Sequence, residues 1–270
     1  MQIAGKVIVV TGGANGIGRG LCERFVKDGA AAVVVADRDF DAARAAADQI
    51  GSTATAVGCD VANEDQVREL VTLTLAQYGP IDLFCSNAGV TVKGTEMTPD
   101  VDWQRLWDIN VMAHVYAARA VLPMMLERGE GYLLQTSSAA GILTEIGSAA
   151  YSVTKHAAVS FAEWLSVKYR RRGIRVSCLC PAGVQTQFLH EDDTIHQFLA
   201  TSALTPEDVA ECVVQGLADE RFLLLPHHQV EEFFAFKGED YDRWLHNFSR
   251  IAQKLERMEA KSRRSGEDSK

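Results

Sequence analysis

Positive charge is what this sequence lacks first. Its 27 Lys and Arg residues stand against 36 Asp and Glu, leaving a formal net charge of -9. That balance excludes a nucleic-acid partner held through phosphate contacts and disfavours docking to an anionic membrane surface. A leader is also missing from the expectation: Met1-Gln-Ile-Ala-Gly-Lys6 has no long apolar region and runs straight into a strand, so neither a signal peptide nor a transmembrane span is expected. None of the six cysteines (Cys22, Cys59, Cys85, Cys178, Cys180, Cys212) forms a CxxC pair, and most lie in apolar runs. They read as buried, reduced thiols in a cytoplasmic setting. A metal site at Cys178–Cys180 is disfavoured, because the segment reads as a buried strand with no His nearby. The pair His227 and His228 lacks a third ligand at suitable spacing, so no metal is expected. Internal repeats and low-complexity stretches are absent too. What is present is a chain that is 47% hydrophobic and 23% charged, enough for a full core under an ordinary water-soluble surface.

Strand and helix patterns alternate along the chain. Lys6–Val10 is a short β-branched run, followed at once by Thr11-Gly12-Gly-Ala-Asn15-Gly16-Ile17-Gly18 and a helical pattern from Arg19 to Asp28. A glycine turn between strand and helix makes a phosphate cradle: backbone approaches a pyrophosphate closely, and the helix start offers free N–H groups. A second strand, Ala30–Ala36, ends at Asp37. An acid there accepts hydrogen bonds from ribose hydroxyls and repels a 2′-phosphate, which favours NAD over NADP; Arg38 beside it argues the other way, since it can pair with a phosphate. Phe40–Ile50 reads as helix and Thr55–Val57 as a third strand, with Asp60 and Val61 at its exit; Asp60 is placed to meet an adenine amino group. Helix Glu64–Tyr78 stops at Gly79-Pro80, and strand four, Ile81–Cys85, opens into Ser86-Asn87-Ala88-Gly89, where small residues let backbone lie along a cofactor. One long helix is expected over Asp102–Arg128, with Asn110 polar in its middle and Pro123 bending or interrupting its far end.

The fifth strand, after Gly131, ends at Ser137 and Ser138. A helix from Ala149 to Arg172 then carries Tyr151 and Lys155 four residues apart, on one face. A free Tyr holds its proton to about pH 10, and a neighbouring ammonium lowers that value. Such a phenol exchanges a proton with an alcohol or carbonyl oxygen near neutral pH, and a Ser hydroxyl holds the same oxygen. Strand six, Arg175–Cys180, leads to Pro181-Ala-Gly183-Val184-Gln-Thr186. Residues 187–204 are polar and acidic and read as a flap; a helix starts at Thr205, and Phe222–Leu225 is a final strand. The alternation demands a single doubly wound α/β domain with a parallel sheet, and Gly12–Gly18, Asp37, Asp60, Asn87, Ser138 and Pro181–Thr186 all fall at strand exits or just after them, where such sheets bind ligands.

At this point the sequence resembles the short-chain dehydrogenase/reductase family, over about residues 3 to 226. Thr11-Gly12-x-x-x-Gly16-x-Gly18 is similar to the family's cofactor turn and Asn87-Ala88-Gly89 to its strand-four motif. Asn110, Ser138, Tyr151 and Lys155 match its catalytic tetrad, and Pro181-x-Gly183 with Thr186 its nicotinamide-side loop. Two departures are small: Ser86 stands where a second Asn is common, and Ala182 where Gly is. The resemblance implies hydride transfer between a nicotinamide and a substrate carbon. In it Tyr151 is general acid/base, Lys155 lowers its pKa and holds the ribose, Ser138 orients the substrate oxygen, and Asn110 holds a relay water. It also implies a homotetramer or homodimer built on the two long helices.

The substrate pocket is expected from Val90–Met97, Ala139–Gly147 and residues 187–204, which contain one lysine, Lys93, no arginine, and many apolar side chains. An uncharged, largely apolar secondary alcohol or ketone follows as the small-molecule substrate. An NADP-dependent carbonyl reductase and a non-catalytic nucleotide sensor stay open beside this reading. The main domain is expected over residues 1–228, an appended aromatic and charged helical segment over 229–259, and a frayed, disordered tail over 260–270.

Overall fold

The computed structural model of the chain describes residues 1–186 and 202–267. Seven parallel strands form its centre: β1 (Val7–Thr11), β2 (Ala32–Asp37), β3 (Ala54–Gly58), β4 (Leu83–Ser86), β5 (Gly131–Thr136), β6 (Ile174–Leu179) and β7 (Leu223–Leu224). Their order across the sheet is β3-β2-β1-β4-β5-β6-β7. The chain runs outward from β1 to β3, then returns to β4 on the other side of β1. The reversal leaves a crevice at the carboxyl ends of β1 and β4, the place where open parallel sheets take ligands.

Helices cover both faces, because strands buried on two sides need two apolar layers above and below. One layer rests on Ile8, Val10, Val33, Val35, Leu83 and Leu134; it receives α1 (Gly16–Lys27), α2 (Phe40–Ile50) and the helix Pro206–Ala218. The other rests on Val9, Val34, Phe84, Leu133 and Val176; it receives α3 (Glu64–Tyr78), α5 (Ala113–Arg128) and α6 (Ala149–Tyr169). Alternate residues of one strand thus serve opposite cores, as a period of two requires. The helix starts are capped by the side chains the sequence offers. Asp39 accepts from Ala42, Asn63 from Asp65 and Gln66, and Thr205 forms a reciprocal capping box with Asp208.

Several expectations need correction. The long helix over Asp102–Arg128 is not one regular helix. It begins as α4 (Asp100–Trp107), widens into a π turn at Asp108–Met112, and resumes as α5. Pro123 does not interrupt α5, which continues to Arg128. Pro123 faces outward, where the carbonyl it leaves without a donor is open to hydration. The stretch Asp100–Arg128 is long and apolar enough to cross a membrane by composition, yet half of its most apolar window is buried in the core. Beyond β7 the chain forms two helices, His228–Glu239 and Tyr241–Glu267, so helix extends past residue 260 into the segment expected to fray. Residues 187–201, the bulk of the expected flap, lie outside the described residues. Five of the six cysteines are buried and Cys212 is half-buried, all as free thiols. Cys178 in β6 and Cys180 just past its end bring their sulfurs to 3.8 Å.

Candidate active site

The glycine turn is shaped by close approach. A Cβ on Gly12, at φ +62°, would stand 3.0 Å from the Cα of Ala88. One on Gly18 would stand 2.1 Å from the carbonyl oxygen of Gly12 and 2.7 Å from Nδ2 of Asn87. The strand-one turn and the strand-four exit therefore fit together only with these residues absent of side chains. Thr11 ties them: its hydroxyl accepts from the backbone N–H of Asn87 at 2.9 Å and of Ala88 at 3.2 Å, while Asn87 Nδ2 donates to the Thr11 carbonyl at 3.1 Å. Asn15 sits at the start of α1 with extended backbone and makes no side-chain cap, leaving the N–H groups of Gly16, Ile17 and Gly18 in the first helical turn facing the crevice edge. From the opposite side, a Gly16 Cβ would lie 2.9 Å from Cγ2 of Thr186, so the loop after β6 closes on the same turn. Val184 and Leu204 form a bridge that anchors that loop.

At the adenosine side, Asp37 ends β2. Its carboxylate accepts from the Ala14 N–H at 3.3 Å and the Asp39 N–H at 3.2 Å. Arg38 is exposed. Asp60 accepts from the Ala62 N–H at 3.0 Å, which fixes the turn out of β3, and Val61 is buried beside it. A glycine cradle with an acid at the end of the second strand fits a dinucleotide.

The four tetrad positions converge. Ser148 caps α6 by accepting from the Tyr151 N–H at 3.1 Å, so Tyr151 stands in the first turn and Lys155 one turn deeper. Ser138 lies just past β5; its hydroxyl accepts from the Ala140 N–H at 3.1 Å and reaches the Pro181 carbonyl at 3.4 Å. It also lies near enough to the Tyr151 phenol to lower its pKa. Lys155 is buried, donates to the Thr136 carbonyl at 3.1 Å, and holds its ammonium 5.6 Å from the centre of the Tyr151 ring. Gly89 separates Lys155 from Asn110: a Cβ there would lie 3.2 Å from Nζ of the one and 3.3 Å from Oδ1 of the other.

Asn110 is not a solvated helix residue. It is fully buried inside the π turn. Its Oδ1 accepts from the Val90 N–H at 2.9 Å, and its Nδ2 donates to the Val90 carbonyl at 2.9 Å and to the Thr154 hydroxyl at 3.1 Å. A π turn inserted in a helix is a common mark of a functional position, and here it aims this amide at the strand-four loop.

The electrostatics depart from the expectation in one respect. A lowered Tyr151 pKa is expected from Lys155, but burial pushes the phenol up to about 12, with the Ser138 hydroxyl lowering it and Glu145 raising it. Lys155 itself is pushed down to about 8 by burial, partly countered by Cys178 and Cys180. Desolvation outweighs the mutual help of the pair because both groups sit under protein.

Several contributors carry no separate signal in the sequence. Thr11 belongs to the turn motif, yet its hydroxyl also ties the strand-four loop. Thr154 holds Asn110, and the Ser137 hydroxyl holds the Lys155 carbonyl at 2.8 Å. His114, one turn past Asn110, is buried with neither ring nitrogen partnered among the described residues; burial and Lys155 push its pKa down to about 3. Nothing in a lone His on an apolar helix signals this. Thr144 carries φ +126° in the loop between Ser138 and Tyr151, a conformation seldom adopted outside constrained sites. Among the described residues no group of three or more His, Cys, Asp and Glu could hold a metal.

A doubly wound sheet, a glycine cradle at its switch point and a Ser–Tyr–Lys set, with Ser138 and Lys155 buried and Tyr151 half-buried, define the class: a nucleotide-binding α/β protein with acid/base groups beside its nucleotide crevice. A family model described as short chain dehydrogenase matches residues 6–195. The chain belongs to the short-chain dehydrogenase/reductase family, NAD(P)-dependent oxidoreductases acting on hydroxyl and ketone substrates. It is 34% identical over 253 residues to 1-deoxy-11-beta-hydroxypentalenate dehydrogenase of Streptomyces exfoliatus, covering 91% of each chain. It is 34% identical over 236 residues to Momilactone A synthase of Oryza sativa subsp. japonica, covering 81% of this chain and 85% of that one. Among solved structures it is similar to a short chain dehydrogenase/reductase from Burkholderia phymatum in complex with NAD. That match has a TM-score of 0.82 and 28% identity, and covers 90% of this chain and 96% of the other.

Proposed function

We propose that this protein transfers a hydride between NAD(H) and a largely apolar secondary alcohol or ketone, with Tyr151 as general acid/base. The observation that carries the reading is the Tyr151 phenol standing on one helical face with the Lys155 ammonium, which lies 5.6 Å from its ring, beside a Ser138 hydroxyl that lowers its pKa. When bound, the nicotinamide nucleotide supplies the redox chemistry, giving or accepting the hydride. The chain supplies the rest. Gly12–Gly18 and Asn87–Gly89 cradle the nucleotide, with Thr186 and Val184 closing the loop side. Asp37 selects against a 2′-phosphate, and the relative solved with NAD is consistent with that choice.

Ser138 holds the substrate oxygen and Tyr151 exchanges a proton with it. With burial holding the phenol protonated at neutral pH, Tyr151 is poised as a donor toward a carbonyl oxygen. In the oxidative direction the Lys155 charge favours the phenolate. The Asn110 amide is spent on Val90 and Thr154, so a relay water at this position rests on backbone opened by the π turn rather than on the amide. The pocket walls Val92–Gly94 and Gly147–Ala149 are laced together by Gly94 N–H to Gly147 carbonyl and Ala149 N–H to Gly94 carbonyl, both 3.0 Å. The relative named 1-deoxy-11-beta-hydroxypentalenate dehydrogenase supports a hydroxyl-bearing substrate. The reading extends to a cytoplasmic enzyme assembled through the α4–α5 stretch and α6, where α4 exposes Val101 and Trp107 and α6 exposes Val153, Trp164 and Val167.

The test is Tyr151→Phe, assayed by nicotinamide absorbance on a panel of alcohols and ketones. Turnover should fall by about 10²- to 10⁴-fold, the range of a lost general acid/base, while NAD(H) binding persists. Near-normal turnover in that variant removes the assignment.

A further inference from the structure

The two adjacent histidines that resemble a metal pair go separate ways. His228 is exposed and faces Glu232, at 3.4 Å. His227 is buried, and both its ring nitrogens are engaged by one short stretch of the chain. The Ala182 N–H donates to Nδ1 at 3.2 Å, and Nε2 meets the Gly183 carbonyl at 2.9 Å. An N–H pointing at Nδ1 requires that nitrogen to be the acceptor, so the proton of the neutral ring sits on Nε2 and is donated to Gly183. The ring therefore spans two consecutive residues of the Pro181–Gly183 turn, which would lie against the nicotinamide half of the nucleotide.

The backbone that carries His227 is itself pinned. His227 precedes the helix His228–Glu239, and near the far end of that helix Lys237 is buried and donates to the Ile142 carbonyl at 2.7 Å. Its ammonium lies 4.8 Å from the Trp244 ring and 5.4 Å from that of Tyr241. Burying an ammonium for one carbonyl and two ring faces is unfavourable unless something else is gained. The gain here is a helix fixed at one end to the turn after β6 and at the other to the segment that follows Ser138.

We propose that His227 is a positioning residue that holds the Pro181–Gly183 turn in the conformation that receives the nicotinamide. The proposal rests on the reading of the site as a nicotinamide-nucleotide site. Its consequence is selective: the ring braces the nicotinamide end of the cleft and leaves the adenosine end, built from Gly12–Gly18 and Asp37, untouched.

Two variants test it. His227→Phe keeps a ring and removes both hydrogen bonds; His227→Gln supplies an amide oxygen to accept from Ala182 and an amide N–H to donate to Gly183. In the nucleotide-free protein, hydrogen exchange at the Ala182 amide should quicken about tenfold or more in His227→Phe and stay near the parent rate in His227→Gln. Fluorescence titration should show NADH affinity falling about tenfold in His227→Phe, with ADP-ribose affinity unchanged, and NADH affinity restored in His227→Gln. Unchanged Ala182 exchange in His227→Phe overturns the proposal, as does an equal loss of NADH and ADP-ribose affinity, which would mark a general structural role. Should the parent bind neither NADH nor NADPH, the functional reading fails by itself, and the exchange measurement still decides whether His227 braces the turn.

Discussion

Replacing Lys155 with Met should make the protein more stable at neutral pH while removing its activity. Lys155 is 3% exposed, and burial lowers its pKa from 10.5 to about 8. A downward displacement of about 2.5 units means that keeping the ammonium charged in the folded state costs about 3 kcal/mol. The sign follows from proton counts. Between pH 10.5 and 8 the unfolded chain binds the proton that the folded chain has given up, so stability is lost as pH falls across that window. Below about pH 8 both states are charged and the whole penalty is present. A Met side chain relieves the penalty, a result often seen when a buried charge gives way to an apolar group. Two terms oppose it: the Thr136 carbonyl loses its donor, about 1 kcal/mol, and the ammonium no longer lies by the Tyr151 ring, about 0.5–1 kcal/mol. The net gain at pH 7 is about 1–1.5 kcal/mol, a rise of roughly 2–6 °C in Tm. At pH 10 the parent penalty has shrunk below about 1 kcal/mol, so the lost contacts prevail and Lys155→Met should be no more stable than the parent. Thermal unfolding of both proteins at pH 7 and pH 10 checks this. A variant less stable at pH 7, or a Tm difference identical at the two pH values, refutes the reasoning.

Asp37→Ala should shift the preference between NAD and NADP toward NADP by about 10- to 100-fold, equivalent to about 1.4–2.8 kcal/mol; titration with both nucleotides reads it, and an unchanged ratio removes Asp37 as the selector. Asn110→Ala strands the N–H and carbonyl of Val90, each costing about 1–2 kcal/mol, so Tm should fall by roughly 4–16 °C. A calorimetric shift under 1 °C would show that the buried amide is not holding the strand-four loop. The exposed apolar side chains of α4 and α6 should bring copies together as a dimer or tetramer, and sedimentation showing only monomer rejects that assembly.

The correspondence between sequence and structure is uneven in an instructive way. The apolar runs that end at Thr11, Asp37 and Ser86 declare buried parallel strands, because such strands need no alternation and admit few polar residues. Gly12, Gly16 and Gly18 are legible because only glycine permits the approaches measured at Ala88, Thr186 and the Gly12 carbonyl. The π turn at Asn110 was not legible, since a one-residue insertion in hydrogen-bond phase leaves the apolar periodicity of Asp102–Arg128 nearly intact. The raised Tyr151 pKa was missed for a related reason: spacing reports which charges are neighbours along a helix but not how much water is excluded from them.

Local order along the chain was enough to determine the alternation of strands and helices, the glycine cradle, and the Tyr151–Lys155 pair, because each depends on residues a few positions apart. Only the tertiary structure decided that Ser138 meets Tyr151 and that Thr154 holds Asn110 across two helices. It alone brought His227, 44 residues beyond Gly183, back to brace that turn. Those contacts depend on how elements distant in sequence are stacked, and packing of that kind is fixed by the summed burial of the whole core rather than by any spacing written in one segment.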